Sequence, residues 1–148
     1  SGYSGAGTKP SPNNNPNNLK DNILPYGLIE HLHEKEVSYQ LKMPISFSPH
    51  VAAFFRGISM TLQVQLKNSW TNSDIVELFK VFYKTFPLIE VQGDIPNVQQ
   101  VINKENCIIG GFSLSKNGTR LTLVSCLDNL LKGAASQALQ NINLFFEK

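Results

Sequence analysis

Two closely spaced histidines are the first residues of this chain whose chemistry could serve a function. His31 and His33 are separated by one residue, and in an extended segment their imidazoles would lie on the same side. Imidazole titrates near neutral pH, so the pair could act as a general acid or base, bind a metal, or lie on the surface beside Glu30 and Glu34. No third ligand stands nearby at the spacing of a zinc site, so the sequence does not favour a metal here.

Arg56 is the second candidate, because it is one of only two arginines and precedes Gly57. A guanidinium binds carboxylates and phosphates through two parallel hydrogen bonds, so Arg56, together with the nearby His50, could hold an anion. An ion-paired loop arginine is an equally good interpretation. Asp128 and Asn129 form the N-terminus of the last predicted helix, where backbone N–H groups could face a ligand, although a plain cap by Asp128 is the commoner arrangement.

The composition excludes several classes of protein. The chain has 148 residues, 41% hydrophobic content and a net charge of +2, which are ordinary for one soluble domain spanning residues 1–148. The sequence has no basic stripe of the kind that binds nucleic acid, and it has no apolar run of membrane-spanning length. No dinucleotide-binding or P-loop glycine motif is present. Cys107 and Cys126 both fall in strand patterns, and we expect two reduced, buried thiols without a nucleophile's setting.

Loops dominate the first part of the chain. Ser1–Gly7 is rich in glycine and serine and is expected to be a flexible loop. Lys9–Asn18 carries three prolines and five asparagines, which argues against helix or sheet and predicts a mobile loop over residues 8–18. The predicted elements that follow are an extended piece at Ile23–Ile29, a helix from about His31 that Pro44 closes, and a short strand at Ile45–Phe47.

Periodic patterns are clearer in the second part. Ile58–Leu66 alternates apolar and polar residues, which predicts a strand with one buried face and one uncharged polar face. Thr71 and Asp74 have the spacing of a capping box, and apolar residues then recur at helical spacing as far as Phe86. Leu88–Val91 is a further short strand.

A hairpin is predicted around Asn117-Gly118, the favoured pair for a two-residue type I′ turn. Its strands are Cys107–Leu114 and Thr119–Leu127, and the register that this turn imposes places apolar residues on one face. The predicted pairs are Leu114 with Leu121, Phe112 with Leu123, Ile108 with Leu127, and Ile109 with Cys126.

The final helix is predicted to begin at Asp128 and to contain an unusual run of small residues, Gly133–Ser136 and Ala138. Small side chains allow a second backbone to approach closely, so this face is expected to contact another surface. The order of the elements shows no regular βαβ alternation. It predicts an α+β fold with a mostly antiparallel sheet and helices on one side.

Four stretches, in this order, resemble the second half of the N-acetyl-γ-glutamyl-phosphate reductase family of arginine biosynthesis. The resemblance covers essentially the whole chain, and the wording of the first stretch is closest to the mitochondrial branch, which shares a precursor with acetylglutamate kinase. The stretches are SGYSGAG at Ser1–Gly7, Y-x4-H-x-H-E-x-E at Tyr26–Glu36, PH-x5-RGI at Pro49–Ile58, and DNLLKGAASQALQN at Asp128–Asn141.

This resemblance implies a glyceraldehyde-phosphate-dehydrogenase-like C-terminal domain that follows a Rossmann domain. In such enzymes a cysteine of the upstream domain attacks the acyl phosphate, and NADPH reduces the thioester to N-acetylglutamate semialdehyde. The upstream domain would hold most of the NADP, so we expect this chain alone to be inactive. The implied roles are acid–base chemistry at His31 or His33, substrate binding at Ser1, Gly2, Ser4, Gly5, His50 and Arg56, and cofactor binding at Asn129.

The chain departs from the family pattern at the histidines. The family often has His-Arg-His before a Pro-Glu pair, whereas this chain has His31-Leu32-His33 followed by Glu34-Lys35. The resemblance also implies a homo-oligomer in the mitochondrial matrix, with acetylglutamate kinase as a candidate partner.

Two other interpretations stay open on the residues alone. The chain could be a non-catalytic interaction module, in which the uncharged strand face at Ser59, Thr61, Gln63 and Gln65 serves assembly. It could also bind a metal through its three histidines. We expect subunits to meet through the sheet. The resemblance further implies that the small-residue face of the last helix lies against the upstream nucleotide-binding domain, so we expect this face to be partly uncovered in this chain.

Overall fold

The computed structural model describes residues 1–146, which divide into one compact unit over Ser1–Phe55 and a second that begins at Arg56. Whether the two behave as the single domain expected for residues 1–148 stays a prediction. Within residues 1–146, no helix combines the length and the hydropathy needed to cross a bilayer. The elements of the first unit are α1 (Pro16–Leu19), β1 (Ile23–Pro25), α2 (Leu32–Leu41) and β2 (His50–Ala52).

The first unit is built on the antiparallel pair β1 and β2, in which Leu24 lies opposite the fully buried Val51. The chain start runs beside β2 instead of hanging free. Gly2 forms a parallel bridge with Ala52, and Tyr3 N donates to Phe54 O at 3.0 Å. A 3₁₀ turn, Tyr3–Ala6, follows. The segment that was expected to be loop is therefore attached to β2 by backbone hydrogen bonds.

The asparagine-rich stretch forms helical turns, so the expectation that it could not be helical was wrong. A 3₁₀ turn covers Pro12–Asn14, and α1 follows it. Proline suits the first helical position, and polar side chains cap both turns. Asn14 Oδ1 accepts from Ser11 N at 2.8 Å, and Asn15 Oδ1 accepts from Asn17 N at 3.0 Å. Mobility of residues 8–18 stays a prediction.

The helix expected near His31 is confirmed as α2, which ends when Lys42 adopts a left-handed conformation with φ of 54°. The strand expected at Ile45–Phe47 is wrong. Ile45 N donates to Ser38 Oγ at 3.1 Å, which ties this segment to α2. The strand of this region is β2, which begins at His50, directly after Pro49.

The second unit carries a four-stranded sheet. Its elements are β3 (Ile58–Gln65), α3 (Asn72–Tyr83), β4 (Ile89–Val91), β5 (Cys107–Leu114), β6 (Arg120–Leu127), a π-helical turn (Leu131–Ala135) and α4 (Ser136–Phe146). The strands lie in the order β3-β6-β5-β4. The β3–β6 and β6–β5 pairs are antiparallel, while β4 runs parallel to β5, so the mostly antiparallel sheet is confirmed.

The main core lies between α3 and one face of this sheet. Thr71 caps α3 as predicted, and its hydroxyl accepts from Asp74 N at 3.2 Å. The ring centroids of Phe79 and Phe112 are 4.9 Å apart. A smaller cluster fills part of the opposite face. The buried members of the main core are Ile75, Cys107, Ile109, Phe112, Leu121 and Leu123, and those of the smaller cluster are Val101, Ile108 and Cys126.

The strand predicted at Ile58–Leu66 is confirmed as β3, but its expected buried face is only partly buried. Met60 is 41% exposed and Val64 is 39% exposed, although both alternate with polar residues as predicted. In the part of the chain that the structure describes, β3 is an edge strand whose neighbour is β6, so its apolar residues lack packing partners on one side.

The predicted hairpin is confirmed, but its register holds only near the turn. Leu114 lies opposite Leu121 as predicted, and an irregularity between Gly110 and Ser113 then shifts the pairing by one residue. Gly111, with φ of +67°, lies at this bulge. Beyond it Ile108 pairs with Cys126 and Cys107 with Leu127, so the predicted Ile108–Leu127 and Ile109–Cys126 pairs were wrong.

The turn also differs from the predicted type I′, which needs positive φ at both central residues. Gly118 has φ of +70°, whereas Asn117 is not among the described non-glycine residues with positive φ. Gly118 N donates to Ser115 O at 2.8 Å, which places the tight turn one residue earlier. The Asn117 side chain accepts from Thr119 Oγ1 at 2.9 Å and so supports this different geometry.

The final helix begins at Leu131, three residues later than predicted, with a π-helical turn that leads directly into α4. Gly133, Ala134, Ala135 and Ala138 are exposed, whereas Ser136 of the same run is buried. The expectation that this face is partly uncovered in this chain is therefore confirmed, and its contact with an upstream domain stays a prediction.

Candidate functional site

His31 is positioned by the start of α2, where it is the N-cap residue. Its Nδ1 accepts a hydrogen bond from His33 N at 3.2 Å. In the neutral imidazole this places the proton on Nε2, because the ring then has one acceptor nitrogen and one donor nitrogen. The two histidines are thus brought together by a helix cap, and not by the extended segment that was considered.

Aromatic rings surround this pair on one side. The His31 ring centroid lies 5.0 Å from His33, 5.2 Å from Phe47 and 5.7 Å from Tyr26. Gly27 is required beside it, because a Cβ there would lie 2.7 Å from His31 Cδ2 and its φ is +51°. His31 is half-buried, whereas His33 is exposed. Within residues 1–146, neither ring nitrogen of His33 makes a hydrogen bond.

The other predicted site residues of the first unit lie along β2. The His50 ring is exposed, and its Nδ1 donates to Ser48 O at 3.0 Å. Ser1 O accepts from Ala52 N at 2.9 Å, and Ser4 N donates to Phe55 O at 2.9 Å. Gly2 pairs with β2 as described above, and Gly2 O accepts a hydrogen bond from Gly5 N at 3.2 Å.

Arg56 opens the second unit and is already engaged by protein groups. Its Nε lies 2.7 Å from Asp128 Oδ2, and its Nη2 donates to Asp128 Oδ1 at 2.9 Å. Its Nη1 donates to Asn103 Oδ1 at 2.8 Å. The ion-paired interpretation of Arg56 is therefore correct. The pair does not exclude anion binding, because the Arg56 side chain keeps 21% of its surface exposed.

Asp128 is completely buried, with 0% exposure. Its Oδ2 also accepts from Asn103 N at 2.8 Å, and its Oδ1 accepts from Leu130 N at 2.9 Å and Leu131 N at 3.2 Å. Burial by itself raises the pKa of Asp128. The hydrogen bonds from Arg56, Asn103 and Leu130 and the Arg56 charge outweigh it, so the pKa lies below its ordinary value of 3.8.

Asn129 lies next to this ion pair, and its Oδ1 accepts from Gly57 N at 2.6 Å. Gly57 has φ of +112°, and a Cβ there would lie 2.3 Å from Val98 Cγ1. Asp128 therefore holds Arg56, and Asn129 holds Gly57, directly before β3. Sequence reasoning had found Asp128 as a cap but missed Asn103, because a single loop asparagine carries no recognisable pattern.

The two cysteines lie in the sheet as reduced, buried thiols, as expected. Burial raises the pKa of the Cys126 thiol, which opposes formation of a nucleophilic thiolate. Cys107 Sγ lies 3.2 Å from Ser125 Oγ. Among the residues that the structure describes, no three histidine, cysteine or acidic side chains cluster closely enough to hold a metal ion.

The Arg56–Asp128 pair makes stability depend on pH. A carboxylate with a lowered pKa in the folded state stabilises the fold fully above its ordinary pKa of 3.8 and loses this effect as the pH falls below it. We expect Asp128→Asn to lower the free energy of unfolding by about 3 kcal/mol at pH 7 and by less near pH 3. Urea unfolding of the purified chain at both pH values measures this. Asp94→Asn, at an exposed position, is the matched control. A loss in the free energy of unfolding of Asp128→Asn that is the same at both pH values would contradict the pairing of Asp128 with Arg56.

Comparison with known proteins agrees with the resemblance seen in the sequence. N-acetyl-gamma-glutamyl-phosphate reductase of Stenotrophomonas maltophilia strain R551-3 is 50% identical over 144 residues, which are 97% of this chain and 45% of that protein. Bifunctional protein argC, mitochondrial, of Dictyostelium discoideum is 53% identical over 145 residues, which are 97% of this chain and 17% of that protein. The chain therefore spans less than half the length of these relatives.

A solved structure shares the fold. Aspartate semialdehyde dehydrogenase II from Vibrio cholerae superposes with a TM-score of 0.70 at 16% identity, over 86% of this chain and 42% of that one. This confirms the predicted fold class. The family model for the semialdehyde dehydrogenase dimerisation domain matches residues 1–129. The chain thus belongs to the family of semialdehyde dehydrogenase dimerisation domains.

Proposed function

We propose that this chain is the substrate-binding and oligomerisation part of an N-acetyl-γ-glutamyl-phosphate reductase, which reduces its acyl phosphate substrate to N-acetylglutamate semialdehyde in arginine biosynthesis. The identity of 50% with a reductase over 97% of the chain carries this proposal. The paired histidines and the tethered arginine supply the chemistry that such a reaction needs from this part of the enzyme: proton transfer and anion binding.

The geometry favours His33 as the group that transfers protons. The Nδ1 lone pair of His31 is already used by the His33 amide, and protonation there would break the cap of α2. His33 is exposed and has both ring nitrogens available within residues 1–146. We assign His31 the role of holding the start of α2 and the ring of His33, which lies 5.0 Å away.

NADP is assigned to the complete reductase, where it supplies the hydride. The described residues do not by themselves form a dinucleotide site, since Asn129 Oδ1 is occupied by Gly57 N and no strand leads into a glycine-rich phosphate loop. We propose that Asn129 contacts the cofactor in the complete reductase. Ser1, Gly2, Ser4, Gly5 and His50 are proposed to line the substrate site.

Replacement of each histidine by asparagine separates these roles. We expect His33→Asn in the full-length reductase to lower kcat about a hundredfold or more, as is typical when a general acid or base is lost. His31→Asn should cost much less, because asparagine is itself a good N-cap and retains an acceptor for the His33 amide. Steady-state kinetics measure both. A loss for His31→Asn equal to or larger than that for His33→Asn would reverse the assignment.

Assembly is proposed to use the face of the sheet that carries the uncharged polar residues of β3, with a second copy of the chain as the partner. Ser59, Thr61, Gln63 and Gln65 are all exposed, and their partners on β6 include Thr122 and, at one end of this face, the exposed Arg120. The row of uncharged residues on β3 suits burial against an identical row, because no like charges meet there across the symmetry axis. The description of the matched family as a dimerisation domain supports this proposal.

Charges placed on this face test the assembly proposal. We expect the double substitution Thr61→Asp and Gln63→Glu to dissociate the full-length oligomer, because two copies would bury four unpaired carboxylates. Light scattering at micromolar concentration measures the mass. Gln40→Glu, on the exposed surface of α2, is the control and should leave the mass unchanged. A double variant with unchanged mass, or a wild type that is strictly monomeric, would refute this interface.

The cellular setting is proposed from the eukaryotic relative. Its name describes a bifunctional, mitochondrial protein. This supports a mitochondrial location. The matrix as the compartment, and acetylglutamate kinase as a partner made in the same precursor, are proposed from the family resemblance.

A further inference from the structure

The guanidinium of Arg56 is held along most of its perimeter. It has five N–H donors, and two of them form hydrogen bonds with protein acceptors: one Nη2 hydrogen with Asp128 Oδ1 and one Nη1 hydrogen with Asn103 Oδ1. Nε lies 2.7 Å from Asp128 Oδ2 as an ion-pair contact without hydrogen-bond geometry. Within residues 1–146, one hydrogen on each Nη has no protein acceptor. A carboxylate or phosphate could accept from these two donors, and 21% of the Arg56 side-chain surface is exposed.

The Asp128 carboxylate is saturated and inaccessible, so it cannot itself contact a ligand. Its two oxygens accept five hydrogen bonds or ion-pair contacts, from Arg56 twice and from the backbone of Asn103, Leu130 and Leu131. Three separate parts of the second unit thus meet at one buried charge: the start of β3, the loop before β5, and the turn that enters the final helix. A carboxylate so placed determines where the arginine points.

We propose that Asp128 is a positioning residue for anion binding: it holds Arg56 so that the two remaining N–H donors bind one carboxylate or phosphate of the substrate. This inference rests on the proposed reductase function. Asn103 has the same role at the opposite side of the guanidinium, and the Asn129–Gly57 hydrogen bond fixes the backbone next to it. Arg56 without this support is a long, flexible side chain whose ordering would have to be supplied by the substrate.

The test uses the full-length reductase and both directions of the reaction, because the reverse reaction separates the two anions. The semialdehyde carries the carboxylate, and inorganic phosphate is a separate substrate. We expect Asp128→Asn to raise the KM of one of these by about tenfold or more, while the KM of the nicotinamide cofactor stays within twofold. A raised KM for the semialdehyde assigns Arg56 to the carboxylate, and a raised KM for phosphate assigns it to the phosphate.

A second variant protects the test against misfolding of Asp128→Asn. Asn103 has φ of +62°, which glycine adopts readily, so Asn103→Gly removes the amide contact without backbone strain. It should raise the same KM about threefold or more and leave kcat nearly unchanged. Asp94→Asn, an exposed aspartate outside the proposed site, is the control for loss of one negative charge and should change neither KM.

The outcomes separate the two claims. A wild-type enzyme that turns over neither the acyl phosphate nor the semialdehyde contradicts the proposed function and this inference together. An active wild type whose anion KM values do not change in a folded Asp128→Asn contradicts the positioning role alone. If that variant does not fold, unchanged KM values in Asn103→Gly contradict it instead. Equal loss in the KM of every substrate, cofactor included, indicates a merely structural role and also overturns it.

Discussion

A carboxylate that is removed from water must be neutralised or hydrogen-bonded, and Asp128 imposes this requirement on the whole second unit. The charge is satisfied by Arg56 at the start of β3, by Asn103 before β5, and by the first amides of the final helix. Because β3 and β6 are neighbours in the sheet, the ion pair also fixes where their paired ends begin. The position of Arg56, the residue most suited to binding an anion, is a consequence of this single buried charge.

The first unit solves a similar problem with a neutral group. The N-terminus of α2 needs an acceptor for its unpaired amides, and His31 supplies its Nδ1. A histidine used in this way has its tautomer determined by the backbone. The neighbouring His33 keeps its nitrogens available, and Tyr26 and Phe47 pack around the pair. From the sequence alone, His31 and His33 had the same candidate role in acid–base chemistry. They differ in the structure because only His31 caps the start of α2.

Elements with strong local signals were predictable from the sequence. The alternation of Ile58–Leu66, the cap at Thr71 and the strands on either side of Asn117-Gly118 all correspond to observed elements. The failures arose where one residue changes a register or where side chains cap short turns. Gly111 shifts the hairpin by one residue, and the asparagines around Pro16 cap turns that composition alone would exclude. The edge position of β3 is a property of the strand order, which no local pattern reports.

The site was predictable in its residues but not in its connections. The histidine pair and Arg56 were found by type and spacing, and the family was found through four short motifs. The partner of Arg56 lies 72 positions away in the sequence, and no local pattern could join them. That connection turns a candidate anion-binding arginine into one whose position is set by Asp128.

Measurement of the Asp128 side-chain pKa by carbon-13 NMR of its carboxyl carbon tests this central claim most directly. We expect a pKa below the ordinary value of 3.8 in the wild type, because Arg56 and the backbone amides stabilise the charged form more than burial destabilises it. In Arg56→Gln the pKa should rise, since burial remains while the charge partner is lost. A wild-type carboxyl that titrates at or above 3.8, or one whose pKa is unchanged in Arg56→Gln, would contradict the account.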